Sequence, residues 1–218
     1  NWGAHQNASD SNLVNASIWG LMLAGKFVGP GDLFQQAPAN WLAKLTHRIG
    51  EPTVRLATLQ AMKILGGQFV LGRDIGSALK RAGRNGTLCS FDMLGEGART
   101  QKDADRYFDN YLAAIETVGD TSTASHLFDG QNVSIKLSAL HPRFWESHRE
   151  TCLPALKKKV LALAMKARRF NIGMSLDAEE CARLELTMDV FEWLCELPEL
   201  EDWQGLGFVL QAYQKRAL

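Results

Sequence analysis

From Thr87 onward, strand-like runs alternate with helix-length segments, and this constrains the fold more than any other feature of the chain. The runs are LCSFDML (88–94), VSIKLSAL (133–140), IGMSLD (172–177) and LGFVLQAY (206–213). Between them lie QKDADRYFDNYLAAIETVG (101–119), LPALKKKVLALAMKARRF (153–170) and AEECARLELTMDVFEWLCEL (178–197). In the first of these, Ala104, Tyr107, Phe108, Tyr111, Leu112, Ile115 and Val118 form one helical stripe. Thr100 and Asp103 resemble a capping box with Asp in place of the usual Glu or Gln. Strands separated by helix-length crossovers pair parallel, because a tight hairpin can join only antiparallel neighbours.

The faces of these runs narrow the architecture. Successive side chains on a strand point to opposite sides. Phe91 and Met93, Ile135 and Leu137, Met174 and Leu176, and Phe208 and Leu210 thus fall on one face. The other carries Ser90 and Asp92, Ser134, Lys136 and Ser138, Ser175 and Asp177, and Val209, Gln211 and Tyr213. An open sheet covered by helices on both sides would show continuous apolar runs instead. One greasy and one polar face suits a (βα)8 barrel, with helices outside and the polar groups in the lumen. Asp92, Lys136, Asp177 and Gln211 then lie towards the C-terminal ends of their strands, where barrel enzymes keep their chemistry. Glu96 joins the same rim. A sheet with one solvated face would give each strand the same pattern singly; four in succession with long crossovers favour the barrel.

Charge adds a reason for these groups to act together. A buried ammonium without a partner tends to lose its proton. Opposite charges about 4 Å apart attract by roughly 4 kcal/mol at an effective dielectric near 20. Asp92, Glu96 and Asp177 are the expected partners of Lys136, and a lysine kept charged suits a substrate carboxylate.

Residues 1–85 read differently. NLVNASIWGLMLAG, ANWLAKLTHRIG, EPTVRLATLQAMKILGG and DIGSALKRAGRNG show helical spacing and glycine stops, with no convincing strand. Two segments are expected: a helical lead-in over 1–85, and the first half of a barrel over 86–218. The 24 basic and 24 acidic residues balance, so no electrostatic footprint points to nucleic acid. No apolar run approaches the roughly 20 residues of a membrane span. Cys89, Cys152, Cys181 and Cys195 contain no C-x-x-C pair and read as buried, reduced thiols. The five histidines are scattered, His141 reads as structural, and neither G-x-G-x-x-G nor a P-loop is present. With no signal peptide visible, a cytosolic protein is expected. The start on Asn1 and the end on QKRAL suggest a piece of something longer.

Four stretches in order, CSFDMLGEGART, VSIKLSALHPRF, IGMSLDAEECARLEL and GLGFVLQAYQKR, resemble the proline dehydrogenase domain of the bacterial bifunctional PutA flavoproteins. GEPTVRLATLQAMKILGGQFVLG resembles the helical region ahead of that domain. The resemblance implies a distorted (βα)8 barrel that holds FAD and oxidises L-proline to Δ1-pyrroline-5-carboxylate. It further implies electron transfer to a membrane quinone, by a cytoplasmic protein peripheral to the inner membrane when reduced. By motif, Lys136 corresponds to a lysine that holds the proline carboxylate, and Asp177 to an aspartate at the flavin and active site, with Leu176 beside it. Gln211 corresponds to a glutamine bonded to the flavin; Asp92 and Glu96 correspond to supporting rim carboxylates. No nucleic-acid contact is expected in this segment, although full-length relatives can bind DNA, and the parent protein is a candidate homo-oligomer. The later strands and an arginine pair of the family have no counterpart before Leu218, so a lone half-barrel is expected to fold poorly. Two other readings of the same residues stay open. One is a flavin-free aldolase or isomerase using Lys136 as a Schiff-base amine; the other is a helical and half-barrel interaction module.

Overall fold

The computed structural model describes residues 70–215 together with Leu59, Gly66, Gly67 and Ala217. Apart from those three early residues, the helices expected within 1–69 lie outside the described residues. The chain divides into two compact units, 1–71 and 72–218. The second begins before the helix α1 (Ile75–Asn85), which packs against the first crossover helix. The change in composition near 86 therefore falls inside the unit.

Four strands follow, β1 (Ser90–Asp92), β2 (Asn132–Ile135), β3 (Gly173–Leu176) and β4 (Leu206–Phe208). They form one sheet in chain order, every neighbouring pair parallel. The crossovers carry α2 (Gln101–Thr121), α3 (Arg149–Arg169) and α4 (Leu184–Cys195). Phe91, Val133, Ile135, Met174 and Leu176 are buried on the helix-facing side of the sheet, as are Ile115, Val118, Val160, Leu163 and Val190 of the helices. Phe208 packs on Phe191 of α4, with ring centroids 5.0 Å apart. Burial of this apolar face supplies the main driving force for the layer.

The opposite face carries polar side chains on the first three strands, with glycines at Gly173 and, on β4, Gly207. Asn132 Oδ1 accepts hydrogen bonds from the hydroxyls of Ser90 (3.2 Å) and Ser175 (3.4 Å). Gly173 makes room for this amide, because a Cβ there would meet Asn132 Nδ2 at 2.7 Å. The lumen thus holds a hydroxyl–amide layer below the charged rim.

The helix starts follow their caps. Thr100 and Asp103 bond reciprocally, so aspartate completes the capping box despite its shorter side chain. In α1 Asp74 and Ser77 do the same, and Gly86 ends the helix at φ 62°. The third helix starts at Arg149, earlier than Leu153, and carries Pro154 inside it. Buried Cys152 and the ion pairs of Arg149 with Glu146 and Asp189 hold this extra turn.

All four strands are shorter than their sequence patterns. The β2 ladder ends at Ile135, whose carbonyl accepts the Asp177 N–H at 2.9 Å, and residues 137–139 turn into a 3-10 helix. On the β1 side pairing runs out at Asp92, so the Lys136 N–H is taken instead by the Tyr111 hydroxyl oxygen at 3.1 Å. In β4 the Val209 N–H still reaches Leu176 O at 2.9 Å, beyond which β3 offers no further pairing. Residues 178–180, expected as the start of a helix, form a loop, and α4 begins only at Leu184 after a 3-10 turn at Cys181–Arg183.

Tyr111 is 1% exposed, and burial pushes its phenol up to about 12, so it remains a neutral partner for the Lys136 amide. Tyr111→Phe strands that part-buried N–H and is expected to cost about 1 kcal/mol, the lower end of the range for an unsatisfied buried donor. The check is the urea midpoint of unfolding; an unchanged midpoint would contradict this role.

Candidate active site

The C-terminal ends of β1, β2 and β3 bring Asp92, Lys136 and Asp177 together. Lys136 Nζ lies 2.5 Å from Asp92 Oδ2 and 2.9 Å from Asp177 Oδ2. The lysine side chain is 12% exposed, against 49% for Asp92 and 22% for Asp177. Burial pulls the Lys136 ammonium towards losing its proton, but bonds to and charges on Asp177 and Asp92 outweigh it and raise the pKa. An ammonium has three N–H groups. Two carboxylates occupy two of them, leaving one for a ligand.

Beside Lys136 and Asp177 a cleft of about 630 Å³ opens at the rim, and Asp92 is not among the residues that line it. Glu96, Lys136, Asp177, Glu179, Arg183 and Gln211 are among its lining residues. Glu96 is exposed on the β1–α2 loop, where Gly95 (φ 139°) and Gly97 (φ 66°) take backbone conformations that suit glycine. A Cβ on Gly95 would also collide with the Tyr107 ring at 2.5 Å. Gln211 lies in the segment after β4, its amide bonded to the Gln214 side chain.

Leu176 is treated differently by the fold. It is fully buried, its carbonyl is bonded to Val209 N, and alternation sends its side chain to the helix-facing side, away from Asp177. It packs beneath the rim and is not among the residues lining the cleft.

Two residues of the rim, Glu179 and Arg183, escape pattern reading. Glu179 Oε1 accepts the Ser138 N–H at 2.9 Å. Ser138 in turn accepts the Gly97 N–H on its hydroxyl (3.1 Å) and the Ala98 N–H on its carbonyl (2.9 Å). Arg183 lies 3.6 Å from Glu179 and 3.0 Å from Glu180, with its guanidinium 4.2 Å from the Trp145 ring centroid. Had AEE been read as extended, Glu179 would have followed Asp177 onto the same face; its helical appearance hid it. His141 lies on the loop after the second strand, its Nδ1 accepting the Arg143 N–H, with burial lowering its pKa. Of the four cysteines, all free, only Cys152 is buried; Cys89 is half-buried, and Cys181 and Cys195 are exposed, because they fall at element ends. Among the described residues no cluster of His, Cys, Asp and Glu could hold a metal, and no helix is long and apolar enough to cross a membrane.

Comparison with known families bears on this arrangement. The family model described as proline dehydrogenase matches residues 76–218, taking in all four strands and the whole rim. The chain belongs to the proline dehydrogenase family. A second model, described as the DNA-binding domain of proline dehydrogenase, matches residues 1–69. That stretch carries five basic and three acidic residues, so the family description, rather than charge, is what links it to nucleic acid, against the expectation of none. Among curated relatives, the bifunctional protein PutA of Klebsiella aerogenes is 41% identical over 99% of this chain, and that of Rhizobium meliloti is also 41% identical over 99%. Proline dehydrogenase 1 of Bacillus subtilis strain 168 is 28% identical over 69% of the chain. The chain spans 16% and 17% of the two PutA proteins and 45% of the Bacillus one. A crystal structure of bifunctional proline utilization A matches 80% of the chain and 18% of its own, at 48% identity and a TM-score of 0.67. With the parallel sheet and its helices, this identifies the fold as part of a TIM-type barrel.

The sign of the Lys136 shift sets a pH dependence. Because its pKa is raised on folding, its contribution to stability is complete below the unfolded value of about 10.4 and is lost as pH rises through the higher folded value. Denaturant unfolding of wild type and Lys136→Met should therefore differ by a constant amount from neutral pH up to about pH 10, with the gap narrowing only above the unfolded value of about 10.4. A gap that closes between neutral pH and about pH 10 would contradict the ion-paired assignment.

Proposed function

We propose that this chain forms part of an FAD-dependent enzyme that oxidises L-proline to Δ1-pyrroline-5-carboxylate and delivers the electrons to a membrane quinone. The observation that carries the proposal is the charged Lys136 between Asp92 and Asp177, on the rim of a barrel belonging to the proline dehydrogenase family. A cytoplasmic protein that meets the inner membrane when reduced fits this reaction, since the electron acceptor is a lipid-soluble quinone.

The residues present suit a flavin. The cleft opens at the C-terminal mouth of the strands, and Gln211, whose Oε1 accepts from Gln214 Nε2, has amide N–H donors suited to a carbonyl edge of an isoalloxazine. Asp177 and Gln211 are the groups on this chain that would hold it. When bound, FAD supplies the two-electron acceptor for the hydride leaving the ring carbon next to nitrogen.

The chain's own groups do the rest. Lys136 binds the proline carboxylate through its third N–H, and Asp177 and Asp92 fix the direction of that bond. Proline must present a neutral amine, because an ammonium nitrogen has no lone pair to form the C=N bond. As hydride departs, positive charge grows on the ring nitrogen; the surplus negative charge of Asp92, Asp177 and Glu96 over Lys136 stabilises it. Loss of one hydride and one N–H proton gives the cyclic imine. A Schiff-base role for Lys136 would require its free amine, and the paired carboxylates oppose that form.

Anaerobic addition of L-proline to the flavin-loaded protein should bleach the flavin spectrum. A colourless protein, or a flavin indifferent to proline, would end this proposal. Lys136→Met should weaken proline binding by at least about tenfold, the scale of one charge-assisted hydrogen bond, with flavin binding largely kept. Equal loss of both would contradict the carboxylate role.

A further inference from the structure

The rim contains a buried acid that the proposed reaction does not use. Glu179 has a side chain only 7% exposed, and burial pushes its carboxyl pKa up, opposed by its bond to Ser138. A carboxylate kept in such a place has a cost unless its hydrogen bonds matter. Its shortest contact is not to a cation. Arg183 is closer to Glu180, at 3.0 Å, than to Glu179, at 3.6 Å, and its guanidinium stacks on Trp145.

The direct bond of Glu179 is to a backbone N–H, that of Ser138, at 2.9 Å. Ser138 sits in the 3-10 turn Leu137–Ala139 that begins immediately after Lys136. The turn is fixed from two directions. Tyr111 takes the N–H of Lys136, and Glu179 takes the N–H two residues on. Ser138 passes the constraint to the next loop by accepting the N–H groups of Gly97 and Ala98, directly after Glu96.

We propose that Glu179 is a positioning residue that, by accepting the Ser138 N–H, holds Lys136 and the Glu96 loop in register for the substrate carboxylate. This rests on the proline-oxidation reading. Without Glu179 the turn loses one of its two side-chain clamps, and the lysine loses its aim while Asp92 and Asp177 still hold its charge. The effect should fall on substrate binding more than on the hydride step.

The test compares Glu179→Ala and Glu179→Gln with wild type in the full-length, flavin-loaded protein. The alanine variant should raise the proline KM roughly tenfold, the scale of one lost hydrogen bond, with kcat within about threefold and flavin content unchanged. Glutamine keeps a carbonyl acceptor for the Ser138 N–H and should return KM to within about threefold of wild type. An unchanged KM in the alanine variant, or a glutamine variant as poor as alanine, would overturn the proposal. Should the alanine variant fail to fold, hydrogen–deuterium exchange of the peptide spanning 136–140 decides it. Protection kept in Glu179→Gln supports the clamp, and exchange as fast as an exposed amide refutes it. A wild-type protein that does not reduce its flavin with proline would instead remove the proposed reaction, leaving the exchange result to judge the clamp alone.

Discussion

One ammonium group held between two carboxylates organises this half-barrel. Lys136, Asp92 and Asp177 come from the ends of three neighbouring parallel strands. Asp177 lies level with Lys136 just past the pair Ile135–Leu176, Asp92 lies one inward position lower, level with Ser134, and the long lysine side chain reaches both. A lysine so placed without its partners would hold its proton less firmly, because burial disfavours the charged form that receives an anion. The in-register pairing of β1, β2 and β3 is therefore also the condition for the chemistry. The layer beneath has a related role. Ser90, Asn132 and Ser175 satisfy one another below the ion pairs, so the lumen is polar from the sheet upward.

The backbone near the lysine is arranged with equal economy. Where the ladder ends, N–H groups that a longer strand would have paired are taken by side chains, Tyr111 for Lys136 and Glu179 for Ser138. Short strands thereby release the rim into loops without leaving these donors unsatisfied. The loops after β1 and β2 are joined through Ser138, and the loop after β3 reaches it through Glu179. Shifts in one loop should be felt by the others.

Alternation of side chains made Asp92, Lys136 and Asp177 legible, because a period of two depends only on local geometry. It also placed Leu176 on the opposite face from its neighbour Asp177. What alternation cannot carry is where a strand stops, since that is decided by the neighbouring strand. VSIKLSAL and LGFVLQAY both continue the pattern past the last ladder bond, so the sequence overstates β2 and β4. Tyr111 fits an apolar helical stripe, and its ring is indeed buried there; nothing local announces that its hydroxyl faces a strand end. Glu179 was obscured by composition, since AEE before an apolar run looks like the acidic first turn of a helix. The division of the chain was blurred similarly, because α1 has the helical character of the preceding residues yet packs with α2.

The most direct measurement is a crystal structure of the flavin-loaded protein with a five-membered ring carboxylate that cannot be oxidised. The carboxylate should lie within hydrogen-bonding distance of Lys136 Nζ, with Asp177 still bonded to the same nitrogen. A ligand whose carboxylate sits elsewhere, or a Lys136 turned out of the lumen, would contradict the account.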